Sequence, residues 1–174
     1  MSDREKLTTG KVMPDLLTQT HENDRTTVSY PTRIFLVEDS PDVRDLIVEN
    51  LAEIPGVELV GFSETEADAV QQLQHAPCDV VILDIQLKEG NGMRVLQTLS
   101  RLEPSRLQEP IKIIFSNHVS STYRQVGMKY GVEFFFDKSS EAKQLRTLIE
   151  QICRHEYPLG QEKPSDTSSA SCAQ

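Results

Sequence analysis

Tryptophan is absent from this 174-residue chain, aromatic residues make up only 6% of it, and its cysteines are three: Cys78, Cys153 and Cys172. They are odd in number, far apart and show no CxxC spacing, which argues against a zinc site or a redox pair and fits free thiols in a reducing, cytoplasmic compartment. No apolar run approaches the roughly 20 residues that span a bilayer, and the amino terminus lacks the apolar centre of a signal peptide, so no membrane partner is expected. Cations are the minority charge, with 18 Lys and Arg against 27 Asp and Glu and a formal net charge of -9. That balance disfavours direct nucleic-acid binding, which relies on clustered Lys and Arg. No GxGxxG turn follows the first apolar run, which removes the usual dinucleotide cradle.

A hydrophobic content of 37% suits one domain with some loosely held chain. Residues 1–31 are polar without a sustained apolar period and read as a flexible amino-terminal extension. Residues 156–174, rich in Pro, Gly, Ser and Gln, read as a disordered tail. Residues 32–155 hold the domain.

Within the domain, short apolar runs alternate with amphipathic segments, the pattern of strand–helix units around a mainly parallel sheet. Strands are predicted at Arg33–Val37, Glu58–Gly61, Val80–Leu83, Lys112–Phe115 and Phe134–Phe136, several of them continuously apolar as strands covered on both faces should be. The helices between them carry the rows Val43, Leu46, Ile47, Leu51, Ile54; Ala67, Val70, Leu73; Met93, Leu96, Leu99; and Leu145, Leu148, Ile149, Ile152. Ser40 offers a capping hydroxyl, Pro41 suits a first helical turn, and Pro55-Gly56 stops the first helix. A further helix is expected after Ser120.

Reactive residues fall at the carboxyl ends of these strands: Glu38 and Asp39, Asp84, Ser116 and Lys138. In an open α/β sheet those ends share the edge that usually binds ligands. Taken singly, each is a common turn former, cap or ion-pair partner. Together their chemistry is complementary. Three carboxylates brought close resist simultaneous ionisation unless a hard divalent cation joins them, and magnesium, with its preference for oxygen ligands, is the expected ion. One carboxylate can then act as a nucleophile, while a hydroxyl and an ammonium neutralise a transferred phosphoryl group.

On these residues, the stretch from about Thr32 to His155 resembles the receiver domain of two-component response regulators. The resemblance implies a doubly wound, flavodoxin-like α/β fold with a five-stranded parallel sheet in the order 2-1-3-4-5. It implies Asp84 as phosphoacceptor, Ser116 as the conserved hydroxyl and Lys138 as the invariant lysine, with Mg2+ held by Asp39, Asp84 and the Gln86 backbone carbonyl and assisted by Glu38. The donor would be a histidine kinase or histidine phosphotransfer protein. Ser116 and Phe135 would form the switch, the hydroxyl turning toward the phosphoryl group and the ring moving inward behind it. With no output domain in view, the chain reads as a stand-alone receiver. It would signal to a downstream protein target through the helix after Ser120, the Phe134 strand and the last helix, a face that also allows a weak homodimer.

The chain departs from the family's pattern at several points. Lys88 stands where a proline is common, so the loop LKEGNG is expected to be more flexible and more basic. Asn117 replaces a small residue, Ser139 follows the lysine where proline is common, and Gln86 and His118 occupy positions that tune hydrolysis. Phe135 lacks the phenol hydroxyl of a tyrosine. The alternative is a degenerate receiver that binds partners independently of phosphorylation. A dedicated hydrolase with an aspartate nucleophile would need a second acid two residues on, where Gln86 stands.

Overall fold

A computed structural model describes residues 30–75, 77–102 and 109–156. In these, the apolar runs and amphipathic segments alternate as β1 (Thr32–Val37), α1 (Pro41–Ala52), β2 (Val57–Ser63), α2 (Glu66–His75), β3 (Val80–Leu83), α3 (Gly92–Leu102), β4 (Ile111–Ser116), α4 (Ser121–Lys129), β5 (Val132–Asp137) and α5 (Ala142–Cys153). The strands form one parallel sheet in the order β2-β1-β3-β4-β5. The expected mobile extension and tail lie outside the described residues, apart from Tyr30, Pro31 and Glu156.

Alternate residues of each strand point to opposite faces, and the two faces bury separate apolar layers. Phe35, Val37, Val81, Leu83 and Ile114 face α2 and α3, meeting Ala69, Leu73, Val95, Leu96 and Leu99. Ile34, Leu36, Val80, Ile82 and Ile113 face α1 and α5, meeting Ile47, Leu51, Leu145, Leu148 and Ile149. β1, β3 and β4 are covered on both sides, hence the apolar runs Ile34–Val37, Val80–Leu83 and Ile113–Phe115 within them; Lys112 of β4 is a buried exception whose ammonium donates to Tyr130 O at 3.2 Å. At roughly 1.5–3 kcal/mol for each large side chain removed from water, these layers supply the main drive to fold.

The strands run longer than their apolar runs because backbone pairing, not side-chain character, sets their ends. Parallel pairing with β1 carries β2 from Val57 to Ser63, and Ser116 is the last residue of β4, paired with Asp137. Three helix details differ from expectation. Pro41 opens α1, but the Ser40 hydroxyl caps nothing; instead its amide donates to Glu38 Oε1 at 3.2 Å. Leu46 is not core: it is 58% exposed. In α2 the buried alanine is Ala69, and Ala67 faces solvent. Ser120 does cap α4, accepting from the Tyr123 amide at 3.3 Å.

Candidate functional site

Beyond the strand ends the backbone ladder continues for one more bond and sets the reactive residues abreast. Glu38 N donates to Ser63 O at 2.9 Å, Asp84 N to Val37 O at 2.9 Å, and Lys138 N to Ser116 O at 3.4 Å. Because β3 lies between β1 and β4, Asp84 falls between the acidic pair and Ser116. Gly92 allows the following loop to fold tightly around this point. A Cβ there would lie 1.9 Å from the Asp84 carbonyl oxygen, so no other residue fits without moving the backbone.

Glu38, Asp84 and Ser116 are buried, Asp39 is half-buried, and an oxygen from each of Glu38, Asp39 and Asp84 lies within 4.8 Å of the others. Lys138 Nζ sits 2.5 Å from Glu38 Oε2 and 2.5 Å from Asp84 Oδ2. The Ser116 hydroxyl donates to Asp84 Oδ1 at 2.6 Å, and the Gln86 amide donates to the same oxygen at 3.2 Å. Burial pushes the Glu38 carboxyl above the usual range, and the hydrogen bond and charge of Lys138 only partly offset it. Three carboxylates against the ammoniums of Lys138 and Lys88 leave a net negative charge in a cavity of about 410 Å³ that Gln86, Asn117 and His118 also line. An all-oxygen donor set with uncompensated charge fits a hard divalent cation of the magnesium class.

Phe135 lies on the α4 side of β5 and is only 8% exposed, its ring pressed against Gly127, where a Cβ would come within 2.8 Å of two ring carbons. The Arg124 guanidinium lies 5.3 Å from the ring centroid. Phe134 and Phe136 stack on each other and pack into the opposite layer, so of the three only Phe135 joins the layer of Ile114, its partner in β4. The Phe135 ring is buried, and the Ser116 hydroxyl is turned toward Asp84.

All five residues singled out at the strand ends converge, and Gln86 lies in their cavity. Two features were not legible. The loop after β3 is tied rather than loose: the Lys88 amide donates to Asp39 Oδ2 at 2.8 Å, and its ammonium donates to Asp39 O at 3.1 Å. The only signal was that a residue other than proline stands at 88 and keeps its N–H. Beside the cavity, an apolar groove of about 290 Å³ runs between α1 and α5, lined by Leu46, Ile47, Ala142 and Leu145 and sharing Val43, Asn117 and Lys138 with the acidic cavity.

The family model described as "Response regulator receiver domain" matches residues 34–150. A protein-glutamate methylesterase/protein-glutamine glutaminase 1 of Xanthomonas campestris is 33% identical over 79 residues, covering 45% of this chain and 22% of that protein. A relative of the same name from Agrobacterium fabrum is 39% identical over 72 residues, covering 41% of this chain and 20% of its own. The chain thus spans about a fifth of the length of these curated relatives. Among solved structures, the response regulator domain of Thermotoga maritima CheB superposes with a TM-score of 0.60 at 20% identity, over 72% of this chain and 95% of that one. A LuxR-family two-component response regulator from Aurantimonas superposes with a TM-score of 0.63 at 23% identity, over 72% and 86%.

Proposed function

Because the chain belongs to the response regulator receiver domain family, we propose that it accepts a phosphoryl group on Asp84 and signals by contact with a protein target. The observation that carries this reading is the Asp84 carboxylate, flanked by Ser116 Oγ on one oxygen and by Lys138 Nζ on the other, at the centre of a three-carboxylate cluster. Asp84 attacks the phosphorus in line, an Asp84 O–P bond forms, and the bond from phosphorus to the donor's leaving nitrogen breaks, with the donor imidazole regaining its neutral form by taking up a proton. Lys138 and Ser116 turn from the free carboxylate to the new phosphoryl oxygens, so each keeps a charged or polar partner through the step. Glu38, Asp39 and Asp84, with the Gln86 carbonyl, would hold Mg2+, which supplies charge neutralisation on the transferred group. Water later hydrolyses the acyl phosphate and returns the free Asp84 carboxylate. The esterase and glutaminase activities in the relatives' names belong to proteins of which this chain matches about a fifth, and they are not carried over to it.

A histidine kinase or phosphotransfer protein is the donor, and the apolar groove between α1 and α5 is its seat. A phosphohistidine has to reach Asp84, and this groove opens into the Asp84 cavity along Asn117 and Lys138. Ser116 and Phe135 form the relay toward α4, β5 and α5, where a downstream protein reads the state. Phosphorylation then acts by stabilising the buried placement of the Phe135 ring.

The test is intact-mass spectrometry after incubation with Mg2+ and a small phosphodonor, beside amide NMR with Mg2+ and beryllofluoride. Wild type should gain one phosphoryl group and shift resonances from Asp84 through Ser116 to Phe135; Asp84→Asn should do neither. Equal labelling of both proteins would refute Asp84 as acceptor. No response in a folded wild-type protein would favour the phosphorylation-independent binding module.

A further inference from the structure

Asp39 is the most exposed of the three clustered carboxylates and the only one that neither Lys138 nor Ser116 touches. Its partner is Lys88, far along the chain, which meets it twice: amide to Oδ2 at 2.8 Å, ammonium to the main-chain carbonyl at 3.1 Å. A carboxylate whose one oxygen is held by a backbone N–H has its torsion set, and its other oxygen keeps its lone pairs for a cation.

Lys88 can act as a fixed point because its loop is anchored on the far side. Glu66 N donates to Glu89 O at 3.0 Å, Asn91 N donates to Glu66 Oε2 at 2.9 Å, and Gly92 N donates to Ile85 O at 3.0 Å. The loop therefore bridges the amino-terminal end of α2 and the carboxylate cluster.

We propose that Lys88 is a positioning residue for the cation site: its backbone amide orients the Asp39 carboxylate toward Glu38 and Asp84 and so sets affinity for the divalent ion without being a ligand. The inference rests on the reading of the cluster as a Mg2+ site, and it assigns the effect to the N–H rather than to the ammonium. Groups that orient a metal ligand from outside the coordination sphere are worth about 10- to 100-fold in affinity.

Two measurements test it. In the metal-free protein, the Lys88 amide should exchange with deuterium slowly, and Asp39→Ala should accelerate that exchange about tenfold or more; exchange that is already fast, or unchanged in the variant, overturns the proposal. In Mg2+ titrations followed by amide NMR, Lys88→Ala, which keeps the N–H, should bind within about threefold of wild type, while Lys88→Pro should bind about 10- to 100-fold more weakly. Equal loss in both variants moves the effect to the ammonium, and no loss in either removes it; both results overturn the assignment. The Glu66 amide reports whether the proline variant keeps its loop, and where it does not, the Asp39→Ala exchange result decides. A wild-type protein that binds Mg2+ yet is never phosphorylated would fail the phosphoacceptor reading while leaving this one intact.

Discussion

Lys138 spans two buried carboxylates with one ammonium, at 2.5 Å from each. Removing it leaves Glu38 and Asp84 facing each other across a desolvated gap, and breaking a buried ion pair costs more than the intact pair contributes. Lys138→Met should therefore lower the stability of the metal-free protein by about 1–3 kcal/mol, less than a fully enclosed pair because the cavity admits water. Added Mg2+ should raise the melting temperature of the variant more than that of wild type, as followed by circular dichroism in a chain without tryptophan; an equal gain in both would argue against a shared cation site. The reactive residues were readable because their chemistry is unusual at strand ends. Lys88 was not, since what matters there is a backbone N–H, which every residue except proline carries, and its acceptor lies 49 positions away.

At the scale of elements, α1 shows where periodicity stops being informative. Val43, Leu46, Ile47, Leu51 and Ile54 make one apolar row, and the row is real, yet Leu46 sits on its margin and faces the groove rather than the sheet. Sequence period identifies a stripe about 100° wide but not how far the neighbouring helix reaches across it. In α2 the same ambiguity exchanged Ala67 for Ala69. Helix ends at Pro41 and before Pro55 were legible because proline acts through local sterics, whereas capping by Ser40 failed because its amide is drawn into the site by Glu38. Leu46→Glu should change stability by no more than about 0.5 kcal/mol, as for most exposed positions. It should lower the ratio of phosphorylation by a protein donor to phosphorylation by a small phosphodonor about tenfold, roughly 1.4 kcal/mol of docking energy. An unchanged ratio would move the donor's seat away from this groove.

Over the whole molecule, the strand count followed from alternating apolar runs, but the order 2-1-3-4-5 came only through family resemblance, because nothing in a strand's composition names its neighbour. The edge opposite the acidic cavity shows how the sheet is pinned. Asp79 accepts from the Arg33 amide at 2.8 Å and from its guanidinium at 3.1 and 2.8 Å, tying the start of β3 to β1. Burial alone would push the Asp79 carboxyl up, but the hydrogen bonds and charge of Arg33 outweigh it and hold it below the usual carboxylate range. A depressed value means that its contribution is present above the unfolded-state pKa and is lost as pH falls through the folded one. Glu38, held above its ordinary value, works in the other direction: its neutral form favours the fold below the unfolded value, and that contribution is lost as pH rises through the folded one. Asp79→Ala should cost about 1–2 kcal/mol in urea unfolding at neutral pH, and the difference from wild type should shrink as the carboxylate is protonated in acid. A pH-independent difference would mean that Asp79 acts by shape rather than by charge. Finally, the α1–α5 groove and the acidic cavity share Val43, Asn117 and Lys138 as a common wall. On the proposed reading, a donor that lingered in the groove after delivery would stand in the path of hydrolytic water, tying the lifetime of the message to how slowly the messenger departs.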